Sequence, residues 1–316
     1  MKSKNEFSRA FIDLAKMGRT DWRSVALAFL IVEFLVALFG ITTGIAVAPP
    51  VPSGHHPFKV PEADKTIVFP LAESAGYIFG LWLVCVKVLR RPFRSLISTD
   101  MTFRIRRFLL GAGLYLVANV ISFAAISLFT SLRYGAWIVI PRHFEWPPHE
   151  YGLIFESMVK LLIIPILAFA EELWFRAWLT QTLGHYIRST LIVVLLVALL
   201  FAHAHSDYNL RLKTLIFADS LGLSALSLRD QRLELAFGAH SMMNVCAMLM
   251  ALFFTGPLPQ GNVPETSFDF VTLVILKGVL PFVLMYGILQ KTEGWFNPIV
   301  AHQASLCDVR LRQLGS

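Results

Sequence analysis

The stretch VALAFLIVEFLVALFGITTGIAVA occupies residues 25–48 and carries one charged side chain, Glu33. A helix needs about 20 mostly apolar residues to cross the roughly 30 Å hydrocarbon core of a bilayer. A helix is also the form in which a single segment satisfies all of its own backbone amides in lipid. The length and composition of this stretch therefore predict a membrane-spanning helix.

Seven further apolar stretches follow, and the whole 316-residue chain has the composition of a membrane protein. Apolar residues make up 56%, charged residues 16%, and the mean hydropathy is +0.62, so a soluble globule would lack the polar surface to cover itself. The predicted spans are 25–48, 70–89, 108–131, 151–184, 190–205, 212–228, 233–255 and 268–290, of which 151–184 is too long for one crossing. We therefore predict an all-α polytopic membrane bundle of about eight transmembrane helices.

Positive charge is distributed unevenly along this bundle, and cytoplasmic flanks of membrane helices carry an excess of Lys and Arg. With both termini inside, nineteen of the 28 Lys and Arg residues lie in inside flanks, six in outside loops and three within spans. We therefore expect both termini in the cytoplasm, and a bacterial inner membrane as the location. The net charge of +7 does not indicate nucleic acid, because the basic residues lie at helix ends, and membrane lipid is the partner implied.

Residues 1–24 are amphipathic, with apolar side chains at Phe7, Phe11, Ile12, Leu14 and Met17. They lack the short apolar core and cleavage site of a signal peptide, so we expect an interfacial helix that leads into the first span. Residues 25–150 are assigned to three N-terminal spans with a basic cytoplasmic loop, and residues 256–316 to the last span and a cytoplasmic tail. The three cysteines are far apart and form neither a disulfide framework nor a CxxC motif; they are Cys85, Cys246 and Cys307.

Ionisable side chains cost at least a few kcal/mol at mid-bilayer, so each one indicates either a partner or a function. Six of them are scattered, and ion pairing or wet packing is the favoured explanation for all six. Glu156 and Lys160, for example, lie four residues apart on one helix face and suit a local ion pair. The six are Glu33, Glu73, Glu156, Lys160, Asp219 and Lys277.

A denser group lies in AFAEELWFRAWL, residues 168–179. Glu172 and Arg176 are four residues apart and can pair along one helix face, whereas Glu171 points about 100° away and is left free for another task. An ordinary ion pair with a glutamate at a helix end is the alternative explanation.

Two more polar groups follow on later helices. LLFAHAHSDYN, residues 199–209, ends an apolar run with His203 and His205, and LELAFGAHSMMNVCAML, residues 233–249, places His240 and Asn244 one turn apart on one face. Taken separately, they are explained by a histidine at a helix end and by an interhelical hydrogen bond worth about 1 kcal/mol. Together, the three groups supply the parts of a hydrolytic site. A carboxylate in a dry cavity is a competent general base for water, and imidazole and amide donors stabilise an oxyanion.

The ordered motifs EExxxR at 171–176, FxxxH at 201–205 and HxxxN at 240–244 resemble the CPBP family, the membrane proteases related to the eukaryotic CAAX prenyl endopeptidase and to bacterial Abi proteins. The resemblance extends over about residues 164–250. Four-residue spacings recur by chance in helices, but three motifs in this order on membrane helices are a specific signal. Residues 151–255 are accordingly assigned to a catalytic core.

The resemblance implies a role for each motif residue. Glu171 and His205 activate the attacking water, His240 and Asn244 bind the oxyanion, and the remaining motif positions, Glu172 and Arg176, brace the site. His203 matches no motif position and is interpreted as a neighbour of the site.

Members of this family have been described both as metalloproteases and as glutamate proteases that need no metal. Glu171, His205 and His240 make a candidate set of two histidines and one glutamate for zinc, with an open fourth position. The sequence has no HExxH motif, and Asn244 beside His240 suits an oxyanion site better than a metal shell. We therefore expect no cofactor, with zinc as the alternative.

Two features are at odds with this assignment. Counting along the predicted helices puts His205 near the outer end of its span and His240 near the inner end of its own, about 12 Å apart in depth. Either the helix of His205 begins later than predicted, or tilted and broken helices surround a deep wet cavity. The segment GWFNPIVAH, residues 294–302, echoes the third motif but has Leu306 where the asparagine is required, so His302 is a second-best candidate.

The substrate is expected to be a hydrophobic, lipid-anchored or membrane-tail peptide, because the site lies in the membrane, and nothing in the sequence identifies prenyl recognition. The Pro-containing loops 49–69 and 133–150 either screen substrates or connect spans. A transporter or channel is disfavoured because the chain shows no repeated half and no paired broken helices. A catalytically silent scaffold or immunity factor is the third alternative, which the intact motif residues disfavour.

Overall fold

The computed structural model describes residues 4–47, 67–134, 151–206, 208–253 and 267–296. These residues form α-helices with short 3-10 and π-helical segments and contain no β-strand, which confirms the predicted all-α class. The helices are α1 (Lys4–Asp13), α2 (Trp22–Val47), α3 (Phe69–Lys87), α4 (Ile105–Tyr134), α5 (Tyr151–Glu171), α6 (Thr180–Tyr186), α7 (Thr190–Ala204), α8 (Leu210–Asp230), α9 (Glu234–Phe253), α10 (Ser267–Leu273) and α11 (Leu280–Phe296).

Within the described part of the chain, four helical segments are long and apolar enough to cross a bilayer. They are Trp22–Ala46, Phe69–Lys87, Ile105–Arg133 and Phe268–Thr292. The apolar α7 has 15 residues, which is short of the roughly 20 that a full crossing requires. A polytopic membrane bundle is thus confirmed, whereas eight spans and the cytoplasmic location of both termini stay predictions.

The predicted 151–184 span consists of three consecutive helical parts. Pro165 lies inside α5, and the π-helical segment Glu172–Leu179 separates α5 from α6. π-Helical turns are rare and occur frequently at functional sites, and this one carries Glu172 and Arg176, the two residues predicted to brace the site. A second π-helical segment, Val274–Val279, joins α10 to α11.

The amphipathic N-terminus forms α1 as predicted, but its apolar face packs against protein. Phe11 and Ile12 are fully buried in a cluster that includes Leu173 and Trp178, and Gly184 of α6 lies directly against the Ile12 side chain. Arg9 donates to the carbonyl of Gly184 and so ties α1 to the end of α6. Of the predicted interfacial side chains, Met17 is exposed.

Helices α4 and α9 approach closely because each presents a glycine to the backbone of the other. A Cβ at Gly238 would overlap the carbonyl oxygen of Phe108, and one at Gly111 would overlap the carbonyl oxygen of Leu235. Small residues allow membrane helices to pack at such short separations. This packing fixes α9, which carries the third motif, against α4.

A network that we call the loop cluster joins the loop before α4 to the start of α9; its members are Asp100, Thr102, Arg232 and Glu234. Arg232 donates to Asp100, to both Glu234 oxygens and to the Thr102 carbonyl at 2.6–3.2 Å. Burial tends to raise the pKa of Asp100, but hydrogen bonds from Thr102, Ser98 and Arg232 outweigh it and hold this pKa well below its ordinary value. The loop cluster therefore fixes the turn between α8 and α9 against the loop before α4.

Several predictions lie outside the described residues. Loops 49–69 and 133–150 lie there almost entirely, as do His302 and Cys307, and the side chain of Glu156 is not described. Cys85 and Cys246 are free thiols.

Candidate active site

The first motif is placed where α5 passes into the π-helical segment. Glu171 is the last residue of α5, and Glu172 and Arg176 belong to the π-helical turns. Arg176 Nη1 lies 3.2 Å from Glu172 Oε1, and both side chains are fully buried. The Glu171 side chain keeps 34% of its surface exposed. The predicted pairing of Glu172 with Arg176 and the separate orientation of Glu171 are therefore both present.

His240 of α9 lies between the two glutamates. Its Nδ1 is 2.8 Å from Glu172 Oε1, and its Nε2 is 3.6 Å from Glu171 Oε2. A carboxylate oxygen can only accept a hydrogen bond, so Nδ1 carries a proton and Nε2 faces Glu171. The contact between Glu172 and His240 was not predicted, because residues 68 positions apart give no local signal in a sequence.

Phe201 of α7 is the residue around which the three motifs meet. The guanidinium carbon of Arg176 lies 3.9 Å from its ring centroid, and the rings of His205 and His240 lie 4.7 and 5.9 Å away. Phe201 is 1% exposed, so these contacts are made inside the bundle. A buried cation over an aromatic face is stabilised by the ring quadrupole, and the second motif thus touches both of the others.

The predicted separation in depth between His205 and His240 is wrong, because the rings of both histidines contact Phe201. Helix α7 begins at Thr190 as expected, so a later start is not the explanation. The helix ends at Ala204, and His205 follows in a non-helical conformation with Nδ1 2.8 Å from the carbonyl oxygen of Phe201. Because that carbonyl accepts, Nδ1 carries the proton and Nε2 remains available as an acceptor.

The remaining predicted residues lie at the margin of this group. Asn244 follows His240 by one turn on α9, and its side chain is half-buried. His203 is exposed, and its assignment as a neighbour of the site stays a prediction. Asp219 of α8, one of the six scattered ionisable residues, lies within electrostatic range of Arg176 and His240. It therefore lies at the edge of the site, although the sequence favoured an ion pair or wet packing for it.

Ser220 is a site residue that the sequence did not reveal. Its hydroxyl lies 3.0 Å from Arg176 Nη2, and Ser220 is fully buried on α8. A serine within an apolar helix commonly bonds to the carbonyl one turn earlier, as Ser227 does to Leu223, so sequence alone does not single out Ser220.

The alternative zinc set is not assembled as a ligand cluster. Among the residues that the structure describes, no three His, Cys, Asp or Glu side chains are grouped closely enough to hold a metal ion. Glu171 and His240 approach each other, but both Nδ1 atoms of the two histidines are engaged by protein acceptors.

Comparison with known proteins assigns the segment that carries the motifs. Residues 153–246 match the family model described as Type II CAAX prenyl endopeptidase Rce1-like. The curated protein described as uncharacterized protein YyaK, from Bacillus subtilis (strain 168), is 25% identical over 192 residues, which cover 57% of this chain and 59% of that relative. No solved structure matches. At family level the match indicates a membrane peptidase of the CAAX protease type. Residues 153–246 are thus similar to an Rce1-like domain, and this match agrees with the resemblance to the CPBP family over the segment that carries the motifs.

Proposed function

We propose that this protein is an intramembrane endopeptidase that hydrolyses peptide bonds with water activated by Glu171 and His205. One observation carries the proposal. Residues that lie 29 to 69 positions apart between different segments of the chain meet in one group, in which His240 contacts Glu172, faces Glu171 and packs on Phe201 beside His205. Four ionisable side chains gathered inside an apolar bundle are costly, and a catalytic role accounts for that cost.

Glu171 is suited to act as the general base. Its side chain is partly exposed, and its Oε2, which is itself buried, makes no hydrogen bond to a described residue, so the carboxylate retains acceptor capacity for a bound water molecule. His205 presents Nε2 as an acceptor and helps to orient the same water. The water oxygen attacks the carbonyl carbon of the scissile bond while Glu171 takes one proton. That proton passes to the leaving nitrogen as the carbon–nitrogen bond breaks.

His240 and Asn244 are suited to stabilise the oxyanion. When both of its ring nitrogens carry protons, His240 donates from Nδ1 to Glu172 and keeps its Nε2–H for a second acceptor. The Nε2–H of that imidazolium then points to the region beside Glu171, where the carbonyl oxygen of the substrate becomes negative. A charged donor in a dry site is worth several kcal/mol to such a transition state. Asn244 adds a neutral amide donor one turn away.

The substrate class follows from the location of the site. A peptide reaches buried residues of a membrane bundle when it is hydrophobic, lipid-anchored or the tail of a transmembrane segment. The bacterial inner membrane remains the proposed location.

The test is cleavage of a library of membrane-anchored peptides by the purified full chain in detergent. Wild type is compared with Glu171→Ala, His205→Ala and His240→Ala, each with and without a chelator, and His203→Ala serves as a matched control on α7. We expect cleavage by wild type and His203→Ala, its loss in the other three variants, and no response to the chelator.

Each contrary result has a distinct meaning. Chelator-sensitive cleavage that zinc restores moves Glu171, His205 and His240 into metal-ligand roles. Equal cleavage by wild type and all variants overturns the assignment of the active site. Absence of cleavage with retained biological function of Glu171→Ala favours the scaffold or immunity role, and substrate-dependent flux into liposomes favours a transporter.

A further inference from the structure

We propose that Ser220, on a helix that carries none of the three motifs, is a positioning residue that sets the orientation of His240 through Arg176 and Glu172. This inference rests on the proposed protease function, because it assigns to α8 a part in the same site. Ser220 holds one end of the chain formed by Arg176, Glu172 and His240, and it does not touch the substrate.

The orientation of the Arg176 guanidinium depends on Ser220. The guanidinium is buried, and three contacts surround it: Glu172 Oε1 at 3.2 Å from Nη1, the Ser220 hydroxyl at 3.0 Å from Nη2, and the Phe201 ring at 3.9 Å. An aromatic face fixes the distance of a guanidinium plane but not its rotation within that plane. Among the described residues, neither Nε nor Nη1 makes a hydrogen bond of acceptable geometry. The Ser220 hydroxyl is therefore the directional contact that fixes the rotation.

Glu172 links the orientation of Arg176 to that of His240. The same oxygen, Glu172 Oε1, faces Arg176 Nη1 and accepts from His240 Nδ1 at 2.8 Å. A rotation of the guanidinium shifts the position that this oxygen prefers, and the imidazole follows its acceptor. Because Nε2 lies on the other side of the ring, its direction toward Glu171 depends on the same chain of contacts. Mutation of residues that orient a reacting group without touching the substrate commonly lowers activity by about tenfold or more.

Helix α8 offers a matched control for the test. Ser224 lies one turn after Ser220, is 2% exposed, and its hydroxyl makes no hydrogen bond to described residues. Ser220→Ala and Ser224→Ala therefore remove the same atom from the same buried face of one helix. The difference between the two variants reports the bond to Arg176 and not the loss of volume.

The kinetic experiment measures kcat and KM of the full chain in detergent for wild type and both variants, after thermal unfolding has verified that each is folded. We expect kcat of Ser220→Ala to fall about tenfold with KM unchanged, because Ser220 contacts no substrate, and Ser224→Ala to match wild type. Equal kcat values for the two variants, or an effect of Ser220→Ala confined to KM, overturn the proposal.

A second measurement does not depend on activity. Diethylpyrocarbonate modifies accessible imidazole nitrogens, and mass spectrometry separates buried His240 from exposed His203, which serves as the internal reference. We expect Ser220→Ala to raise the relative rate at His240 by about threefold or more, since a ring that has lost its fixed orientation opens more often. Ser224→Ala leaves the rate unchanged.

The two measurements separate two failures. If wild type cleaves no peptide, the proposed function fails, while the modification rate at His240 still decides the role of Ser220. If wild type cleaves and Ser220→Ala behaves as Ser224→Ala does in both measurements, the inference fails and the proposed function stands.

Discussion

The candidate site and the loop cluster each contain a buried arginine. Arg176 is the centre of the site, with Glu172 and Ser220 as partners, and Arg232 is the centre of the loop cluster, with Glu234 and Asp100 as partners. Each pairs with a glutamate that is fully buried. By residue type alone, the two groups are nearly the same.

They differ in how completely their hydrogen bonds are made. All three nitrogens of Arg232 donate to described acceptors, and Glu234 also accepts from the backbone of Arg104. In the site, by contrast, Arg176 Nε, Glu171 Oε2 and Glu172 Oε2 make no hydrogen bond within the described chain. Buried polar atoms are usually satisfied, and exceptions require an explanation. The loop cluster thus has its hydrogen bonds completed within the fold, whereas the candidate site has polar atoms left to bond another molecule, which supports the proposed catalytic role.

The largest expected effect is a difference in kcat between two variants. One removes the buried glutamate charge from the site, and the other removes it from the loop cluster. Glu172→Gln leaves His240 Nδ1 without an anionic acceptor, so we expect kcat to fall about 100-fold or more. Glu234→Gln changes a glutamate that is equally buried but remote from the reaction, so cleavage per folded molecule stays within about twofold. Steady-state cleavage of a membrane-anchored peptide measures both. A similar loss of kcat in the two variants would remove the distinction between the clusters.

Stability is expected to show the opposite order. Arg232→Met breaks a buried pair in which every guanidinium nitrogen is bonded, so the free energy of unfolding falls by about 3–5 kcal/mol. Arg176→Met loses fewer hydrogen bonds, and we expect a smaller loss of stability together with nearly complete loss of cleavage. Thermal unfolding in one detergent, followed by circular dichroism, compares them. The account is wrong if Arg176→Met unfolds at the lower temperature.

Much of this organisation was predictable from local patterns. Apolar runs such as 25–48 and 190–205 predicted α2 and α7 within a few residues, because in lipid a helix must satisfy its own backbone. The pair of Glu172 with Arg176 followed from their spacing on one helix.

Other features required contacts between distant segments. The π-helical turns at Glu172–Leu179 leave no sequence signature, and they change the direction of every side chain that follows them. His205 and His240 both contact Phe201, so the packing between the segments that carry them closes the predicted gap in depth. Likewise, Ser220 acquires its role only because α8 packs beside Arg176.

Gly238 lies between the two clusters on α9, four residues after Glu234 and two before His240. Gly238→Ala places a methyl group against the backbone of Phe108, so we expect the free energy of unfolding to fall by about 1–3 kcal/mol. Gly113→Ala on α4 is the control, because no described atom lies within 4 Å of a Cβ there. Thermal unfolding that is equal for the two variants would show that α4 and α9 do not pack so closely.

The smallest expected effect is a dependence of stability on pH in the loop cluster. The pKa of Asp100 in the folded protein lies below its ordinary value, so the unfolded chain binds the proton more readily. The stabilisation is therefore present above about pH 4 and is lost as the pH falls further. We expect the difference in thermal midpoint between wild type and Asp100→Asn to be constant from about pH 7 to pH 5 and to narrow near pH 3. A difference that does not change with pH would contradict this role.

Single-turnover cleavage in water enriched in oxygen-18, by wild type and by Glu171→Gln, tests directly whether Glu171 activates the attacking water. If Glu171 activates a water that attacks the peptide, the new carboxyl terminus gains one heavy oxygen in the first turnover of wild type, and Glu171→Gln is slower by about 100-fold or more. First-turnover product without the heavy oxygen, or equal rates for the two proteins, would contradict the account.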